Sequence, residues 1–182
     1  MSVYRTQPEP LERMMRRSTT ILAPILCLTV FGCANPAAQL EANKGLVRRF
    51  TEAANNADWE SLNGIVAADF ARHSAATTGP PITSRDEFVR LQESFLVTFP
   101  DQRVTIQNLI AEGDRVAVLA TYTASHTGPM GEIPATGKSV ESPFLAIFRI
   151  ESGRIAELWV EWDNVALLTQ LGLFPPPVQP SS

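Results

Sequence analysis

The chain has 182 residues, of which 45% are hydrophobic and 19% charged, and its formal net charge is −4. This balance is typical of one globular domain with a tail, and no Lys/Arg cluster beyond the N-terminal segment favours nucleic-acid binding. The two cysteines, Cys27 and Cys33, both lie in that segment, which excludes a disulfide framework or a Cys/His zinc site in the folded body. Neither G-x-x-x-x-G-K-S/T nor G-x-G-x-x-G is present, so no nucleotide cofactor is predicted.

The first 33 residues have the layout of a secretory signal. A basic region at 13–17 precedes an apolar run at 21–30, which is too short to span a membrane comfortably. The next residues, Val30-Phe31-Gly32-Cys33, resemble a bacterial lipobox, in which the Cys is lipidated and becomes the first mature residue. The resemblance implies export to the cell envelope, with a lipid on Cys33 as the only membrane attachment. The alternatives are a soluble secreted protein and an uncleaved anchor.

Helices are predicted in the first half of the folded body, which follows a linker at 34–39. Apolar residues recur at helical spacing, Asp58 can cap a short helix, and Ser84 with Glu87 forms a capping box. The predicted elements are a helix at 40–55, a short helix after Asp58, an extended piece at 69–73, a Gly/Pro-containing loop at 75–83 and a helix from Ser84 to Phe99.

Strands dominate the second half of the chain. Pro143 falls inside one of them, where we expect a bulge or bend. The predicted strands span 103–111, 115–127, 138–150 and 154–163, followed by a short helix at 165–171 and a Pro-rich tail at 175–182. Helices first and an antiparallel run of strands afterwards predict an α+β fold over 40–174, with helices covering one face of a curved sheet.

The strand at 154–163 organises the functional interpretation, because its side chains alternate between two faces. Ala156, Leu158, Val160 and Trp162 form an apolar face that can pack on a core. The opposite face carries Glu157, Trp159, Glu161 and Asp163, a set that suits a pocket wall. Two alternatives stand beside this interpretation. The acids form the solvated face of an antiparallel strand, or Asp163 is the N-cap of the following helix.

A combination of motifs resembles the SnoaL-like polyketide cyclase family over about residues 41–174. The motifs include Phe99-Pro100-Asp101, Ala111-Glu112-Gly113-Asp114-Arg115-Val116, Ser125-His126-Thr127-Gly128, Ile133-Pro134-Ala135-Thr136-Gly137-Lys138, Phe148-Arg149 ahead of Gly153, the spacing Glu157-x-Trp159-x-x-x-Asp163, and Gln170-Leu171-Gly172. The resemblance implies the cone-shaped fold of ketosteroid isomerase and nuclear transport factor 2, in which a bent sheet wraps a deep cavity. It also implies a cofactor-free reaction, ring closure of a polyketide ester by intramolecular aldol condensation.

The same resemblance implies which residues act. Asp163 matches the family's general acid/base, and His126 and His73 match its cavity histidines. His126 is then the donor or proton shuttle, and His73 orients the substrate. Trp159, Tyr122, Phe70 and Phe95 are expected to line the substrate pocket. The alternatives are structural histidines and core aromatics, and no H-x-x-x-H spacing supports a metal site.

Two functions follow as expectations. The first is a cofactor-independent cyclase, isomerase or hydrolase that acts on a small hydrophobic carbonyl compound at the cell envelope. The second is a binding protein that holds a hydrophobic molecule in the same cavity without chemistry. By analogy with the family's fold, a homodimer is expected in either case.

Overall fold

The computed structural model describes residues 35–77 and 79–175. The predictions on the signal segment, Cys33 and most of the Pro-rich tail lie outside these residues. The elements in chain order are α1 (Pro36–Asn55), α2 (Leu62–Ile65), β1 (Val66–His73), α3 (Arg85–Thr98), β2 (Arg103–Glu112), β3 (Arg115–Ser125), β4 (Ser139–Glu151), β5 (Arg154–Trp162) and α4 (Asn164–Leu171).

The five strands form one mixed sheet in the order β1-β5-β4-β3-β2. β1 pairs parallel to β5, and the other neighbours pair antiparallel. The ladders shift register between Ile106 and Asn108 in β2 and between Arg149 and Ile150 in β4. Such bulges bend strands and increase twist, and the curved α+β fold expected from the sequence is confirmed.

The helices begin where short polar side chains cap them. α1 starts four residues before its predicted start, because Asn35 accepts the N–H of Ala37 and Pro36 occupies the first turn. Ser84 accepts the N–H of Glu87 at the start of α3, as the capping box predicts. None of the helices in the described part of the chain is long and apolar enough to cross a membrane.

Pro143 lies in β4 without a register shift. It pairs with Thr121 of β3 in unbroken register, so the bulge predicted at this position is wrong. The residue pairs between β4 and β5 begin at Phe144 and Trp162. Pro143 therefore lies beyond the part of β4 that pairs with β5, and its missing N–H removes no bond on that side.

One face of the sheet, called the core face below, packs against α1, α2 and α3. The predicted alternation of β3 and β5 is confirmed there, since Val116, Val118, Ala120, Leu158 and Val160 are all buried. Four phenylalanines, Phe50, Phe70, Phe88 and Phe148, form the centre of this core, with neighbouring ring centroids 5.3–5.6 Å apart. Each fully buried ring contributes roughly 1.5–3 kcal/mol through removal of apolar surface from water.

The opposite face of the sheet, called the outer face, carries exposed apolar side chains on neighbouring strands. Leu145 is 64% exposed, and its cross-strand partner Leu119 is 41% exposed. Ile147 lies between Ala117 of β3 and Trp159 of β5. These residues, Leu119, Leu145, Ile147 and Trp159, form the outer-face patch.

Candidate functional site at the end of strand β5

Trp162 is the last residue of β5 and lies on the core face, where it packs against the edge of the hydrophobic core. Phe144 of β4 is its cross-strand partner. The indole Nε1 donates a hydrogen bond to Asn164 Oδ1 at 2.7 Å, which fixes the orientation of the ring. This strand end therefore presents a flat, half-buried apolar surface with an oriented indole.

Arg72 covers that indole from the end of β1. Its guanidinium carbon is 5.6 Å from the centroid of the Trp162 ring, and Nη2 donates to Thr77 Oγ1 at 3.0 Å. Burial lowers the pKa of Arg72, while the charge of Glu161 opposes this shift. The side chain remains a cation at neutral pH, as arginine does in proteins. Arg72, Thr77, Phe144, Trp162 and Asn164 are called the Arg72–Trp162 corner below.

The loop after β1 is tied to β5 and α4 next to this corner. Both carboxylate oxygens of Glu161 accept backbone hydrogen bonds, from Ala75 N–H at 2.7 Å and Ala76 N–H at 3.1 Å. Asn164 Nδ2 donates to the carbonyl oxygen of Ala76 at 2.6 Å. Glu161 was expected on a pocket wall with Asp163, but it lies exposed and its carboxylate holds this loop.

Asp163 is exposed and is the N-cap of α4. Its Oδ1 accepts the backbone N–H of Ala166 at 2.9 Å. The expected shielded position beside an imidazole is wrong, because Asp163 follows the last residue of β5 and its side chain turns back over the first turn of α4. The helix-cap alternative is confirmed.

His126 is fully buried directly after β3, on the face predicted for it. Its Nδ1 accepts the backbone N–H of Thr136 at 3.3 Å and lies 3.0 Å from Thr136 Oγ1. Because a backbone N–H can only donate, we assign the proton of the neutral ring to Nε2. This Nε2 is buried beside Phe99 and has no hydrogen-bond partner among the described residues. His126 is therefore a buried donor for which the described part of the chain supplies no acceptor.

His73 lies on the outer face, away from the core face that carries His126. Its ring stacks on Trp159 with centroids 4.8 Å apart, and its Nε2 is 2.9 Å from Glu157 Oε2. Glu157 also accepts a hydrogen bond from Arg149 Nε at 2.6 Å. The bonds from His73 and then Arg149 hold the pKa of Glu157 below its usual value. The structure does not bring the two histidines together.

The aromatic residues predicted to line a pocket occupy three different environments. Trp159 belongs to the outer-face patch, so its placement on a pocket wall is corrected. Phe70 is fully buried and packs edge-on against Phe88, 5.3 Å away, so it is a core residue instead. Phe95 of α3 is half-buried. The half-buried Tyr122 donates to Gln102 Oε1 at 3.1 Å, and burial raises the pKa of its hydroxyl.

Two open grooves lie on the described part of the chain. One, of about 530 Å³, lies beside β1 and includes Ala71, Arg149 and Glu157 in its lining. The other, of about 430 Å³, lies between α1 and the start of β2. Neither is lined by Asp163, His126 or Trp162. Within residues 35–77 and 79–175, no three His, Cys, Asp or Glu side chains converge as metal ligands.

The family model described as SnoaL-like polyketide cyclase matches residues 44–171. The chain belongs to this family. The resemblance noted in the sequence is thereby confirmed over almost the whole span from which it was taken. A search of curated proteins finds no match to the chain.

Three solved structures illustrate the similarity. IdmH from Streptomyces antibioticus, a proposed polyketide cyclase, is 31% identical, with 72% of this chain and 99% of IdmH covered and a TM-score of 0.65. AclR from Streptomyces galilaeus, a proposed hydroxylase, is 28% identical over 77% of this chain and 87% of its own, also with a TM-score of 0.65. An epoxide hydrolase from M. tuberculosis shares the fold at 16% identity and a TM-score of 0.59, with 73% and 91% covered.

Arg72 and Trp162, like the other members of this corner, were not singled out as functional in the sequence. The alternation of β1 contained a signal for Arg72, because it shares a face with the buried Phe70. A charged residue at a position that alternation assigns to the core is unusual unless it has a function. Trp162 was assigned correctly to the core face, but the cation above it comes from a strand distant in sequence.

Proposed function

We propose that this SnoaL-like protein is a cofactor-independent acid–base enzyme that removes a proton next to the carbonyl group of a small hydrophobic compound. The observation that carries the proposal is the arrangement at the end of β5. Asp163 directly follows Trp162 in the chain, so a carboxylate-bearing residue comes one position after the Arg72–Trp162 corner. The product of such a step, an enolate, can lead to aldol ring closure or to isomerisation.

Asp163 is proposed as the base because its carboxylate is both oriented and accessible. The cap bond from Ala166 uses Oδ1, and Oδ2 accepts no hydrogen bond from the described residues. A carboxylate fixed in one orientation loses little conformational freedom when it meets a substrate. The exposed position also means that a bound ligand must itself exclude water from the carboxylate.

His126 is left out of the proposed reaction, because its ring is fully buried directly after β3 and its Nε2 is closed to solvent, whereas Asp163 is exposed. Tyr122 and Phe99 lie against each other, with ring centroids 6.2 Å apart, and Phe99 also contacts the His126 ring. His73 is left out of the proposed reaction because it lies on the outer face with Glu157.

Proton exchange tests this chemistry without knowledge of the natural substrate. The full-length protein is incubated in heavy water with hydrophobic ketones and keto esters, and deuterium next to the carbonyl is measured by mass spectrometry. Asp163→Asn should lower the enzymatic exchange by about 10²–10⁴-fold, the usual contribution of a general base. Asn also caps helices well, so the melting temperature should remain unchanged.

Asp58→Asn is the matched control for that experiment. Asp58 is also an exposed carboxylate that accepts a backbone N–H three residues later, that of Ser61 in the turn before α2. Its substitution should leave exchange unaltered. Equal exchange rates in the wild type and in Asp163→Asn reject Asp163 as the base.

The second candidate is a binding protein that holds a hydrophobic molecule at the same corner without chemistry. The observation that favours it is the confirmed capping role of Asp163, which accounts for this residue without catalysis. Binding of hydrophobic carbonyl compounds without any proton exchange in the wild type would support this candidate.

We also propose export to the cell envelope, with a lipid on Cys33 as the anchor. The support is the signal-like layout of residues 13–33. Metabolic labelling with a palmitate analogue tests it, because the label should appear in the wild type and be absent in Cys33→Ala. Unlabelled wild-type protein released into the medium contradicts it.

A homodimer formed through the outer-face patch is the third part of the proposal. The support is the row of exposed apolar side chains on β3 and β4, together with Trp159 on β5. Contiguous exposed apolar surface of this kind marks interaction sites on soluble proteins.

A further inference from the structure

Arg72 differs from the other partly buried arginine of the sheet in its ionic surroundings. Arg149 on β4 contacts two carboxylates, Glu157 at 2.6 Å and Glu151 at 3.1 Å. No carboxylate among the described residues lies within ion-pair distance of Arg72. Within that part of the chain, the one hydrogen bond of the Arg72 side chain goes to the neutral hydroxyl of Thr77. Arg72 thus carries a half-buried positive charge for which residues 35–77 and 79–175 supply no paired anion.

Glu161 is not the paired anion of Arg72. Its two oxygens accept the backbone hydrogen bonds from Ala75 and Ala76. Glu161 therefore acts on Arg72 through its field, which opposes the lowering of the arginine pKa by burial. The cost of removing the guanidinium from water is only partly compensated, because a buried charge needs a close and hydrogen-bonded partner.

The guanidinium keeps donors that the described residues do not use. Nη2 donates to Thr77, whereas Nε and Nη1 have no acceptor within the described chain. Arginine presents its N–H groups as a planar fork that matches a carboxylate, and such paired bonds are stronger than bonds between neutral groups. The remaining donors therefore suit two oxygens of an anionic group.

The surroundings of Arg72 specify the rest of the ligand. Trp162 lies under the guanidinium, and Phe144 lies beside Trp162 on the next strand. Both rings are half-buried at the edge of the core. A flat apolar body can pack beside these rings while an attached anionic group reaches Arg72.

We propose that Arg72 binds the carboxylate of a flat hydrophobic ligand and thereby determines which substrates the Arg72–Trp162 corner accepts. The inference rests on the proposed function, because it places the ligand of that reaction in this corner. It narrows the substrate class from hydrophobic carbonyl compounds to those that also carry a carboxylate.

Two probes of equal shape and different charge test the inference. The full-length protein is titrated with 2-naphthoate and with its neutral methyl ester, and binding is measured by calorimetry at low salt. The wild type should bind the carboxylate at least about tenfold more tightly than the ester, as a charge-assisted pair predicts. Arg72→Gln should abolish this preference without weakening ester binding, and Arg72→Lys should retain part of it.

Arg115→Gln is the matched control, because Arg115 covers Trp159 on the outer face at 5.5 Å, nearly the same distance as in the Arg72–Trp162 pair. It removes the same charge from the protein and should leave the preference intact. Equal affinity of the wild type for both probes, or no binding of either, overturns the inference. So does an Arg72→Gln protein that folds and keeps the preference.

The measurement remains decisive if Arg72→Gln fails to fold. The carboxylate preference can still be measured in the wild type, and Arg72→Lys still shows whether the preference falls when the guanidinium is replaced by an ammonium group. It is also independent of the proposed chemistry, since 2-naphthoate has no exchangeable proton next to its carboxylate. A carboxylate preference without proton exchange would retain the binding inference and reject the enzyme. Proton exchange without the carboxylate preference would retain the enzyme and reject the binding inference.

Discussion

The Asp163 carboxylate accepts the backbone N–H of Ala166 at 2.9 Å, and this bond links a proposed catalytic group to the stability of α4. Asp163→Ala removes both the cap and the carboxylate. We expect it to lower the free energy of unfolding by about 1 kcal/mol, the usual cost of an N-cap loss. Asp163→Asn should change the free energy of unfolding by less than about half of the loss expected for Asp163→Ala. Urea denaturation of the two variants checks the difference, and an equal loss in both would contradict the cap.

Phe70 should behave as a core residue. It is fully buried in β1 against Phe88, so Phe70→Ala should destabilise the protein by about 3–5 kcal/mol. The half-buried Phe95 serves as the control, and Phe95→Ala should cost clearly less. Chemical denaturation measures both. A small loss for Phe70→Ala would return this residue to the list of candidate pocket residues.

The residues that were predicted correctly are those that follow a local period. Alternation placed every second residue from Val116 to Ala124 and from Ala156 to Trp162 on the core face, as the structure shows. Neighbouring residues in a strand point to opposite sides of the sheet. Asp163 was misplaced because alternation contains no information about where a strand ends. The helix-cap signal was also present in the sequence, and at Asp163 the cap signal and the strand pattern gave different predictions.

The contacts made by β1 could not be predicted from the sequence. His73 meets Glu157, 84 residues later, because β1 pairs in parallel with the last strand. The same pairing brings Arg72 over Trp162. Parallel pairing between distant segments leaves no local signature, so neither contact could be found in the spacing of residues. The family resemblance predicted the fold, yet it did not specify which aromatic ring faces the core.

The outer-face patch should control association. Leu145→Glu places a charge at the most exposed residue of the patch, and we expect it to shift a dimer toward monomers, because like charges then meet across a symmetric interface. Ile133 is 38% exposed in the loop after β3 and lies outside the patch, so Ile133→Glu is the control. Sedimentation velocity over a range of concentrations reports the mass. A monomeric wild type would refute the proposed dimer.

Glu157 should make stability depend on pH in the acid range. The bonds from His73 and Arg149 lower the folded-state pKa of Glu157. The stabilisation from Glu157 is therefore fully present above its unfolded pKa, and it is lost as the pH falls through the lowered folded value. The stability difference between wild type and Glu157→Gln should shrink as the pH is lowered from about 6 to 3. Because the group is partly exposed, the full difference should stay near or below about 1 kcal/mol.

Glu151→Gln is the comparison for that titration. Glu151 also contacts Arg149, but its side chain is 65% exposed, so solvent screens its charge more strongly. Its substitution should give a smaller pH-dependent difference. Denaturant midpoints of the wild type and both variants, measured at several pH values, give the two stability differences. A stability difference between wild type and Glu157→Gln that stays constant with pH would contradict the assigned bonds.

Gly128 holds the loop that carries His126 against the end of α3. Its N–H donates to the carbonyl oxygen of Thr98 at 3.0 Å, and a Cβ added at this position would collide with the carbonyl group of Val97. We expect Gly128→Ala to destabilise the protein by about 1–3 kcal/mol, as overpacking against backbone does.

Gly64→Ala in α2 is the matched control, because its Cβ would meet no atom within 4 Å. Ala is the better helix former, so this control should be neutral or stabilising by up to about 1 kcal/mol. Thermal denaturation of both variants measures the contrast, and equal melting temperatures would mean that the loop can move away from α3.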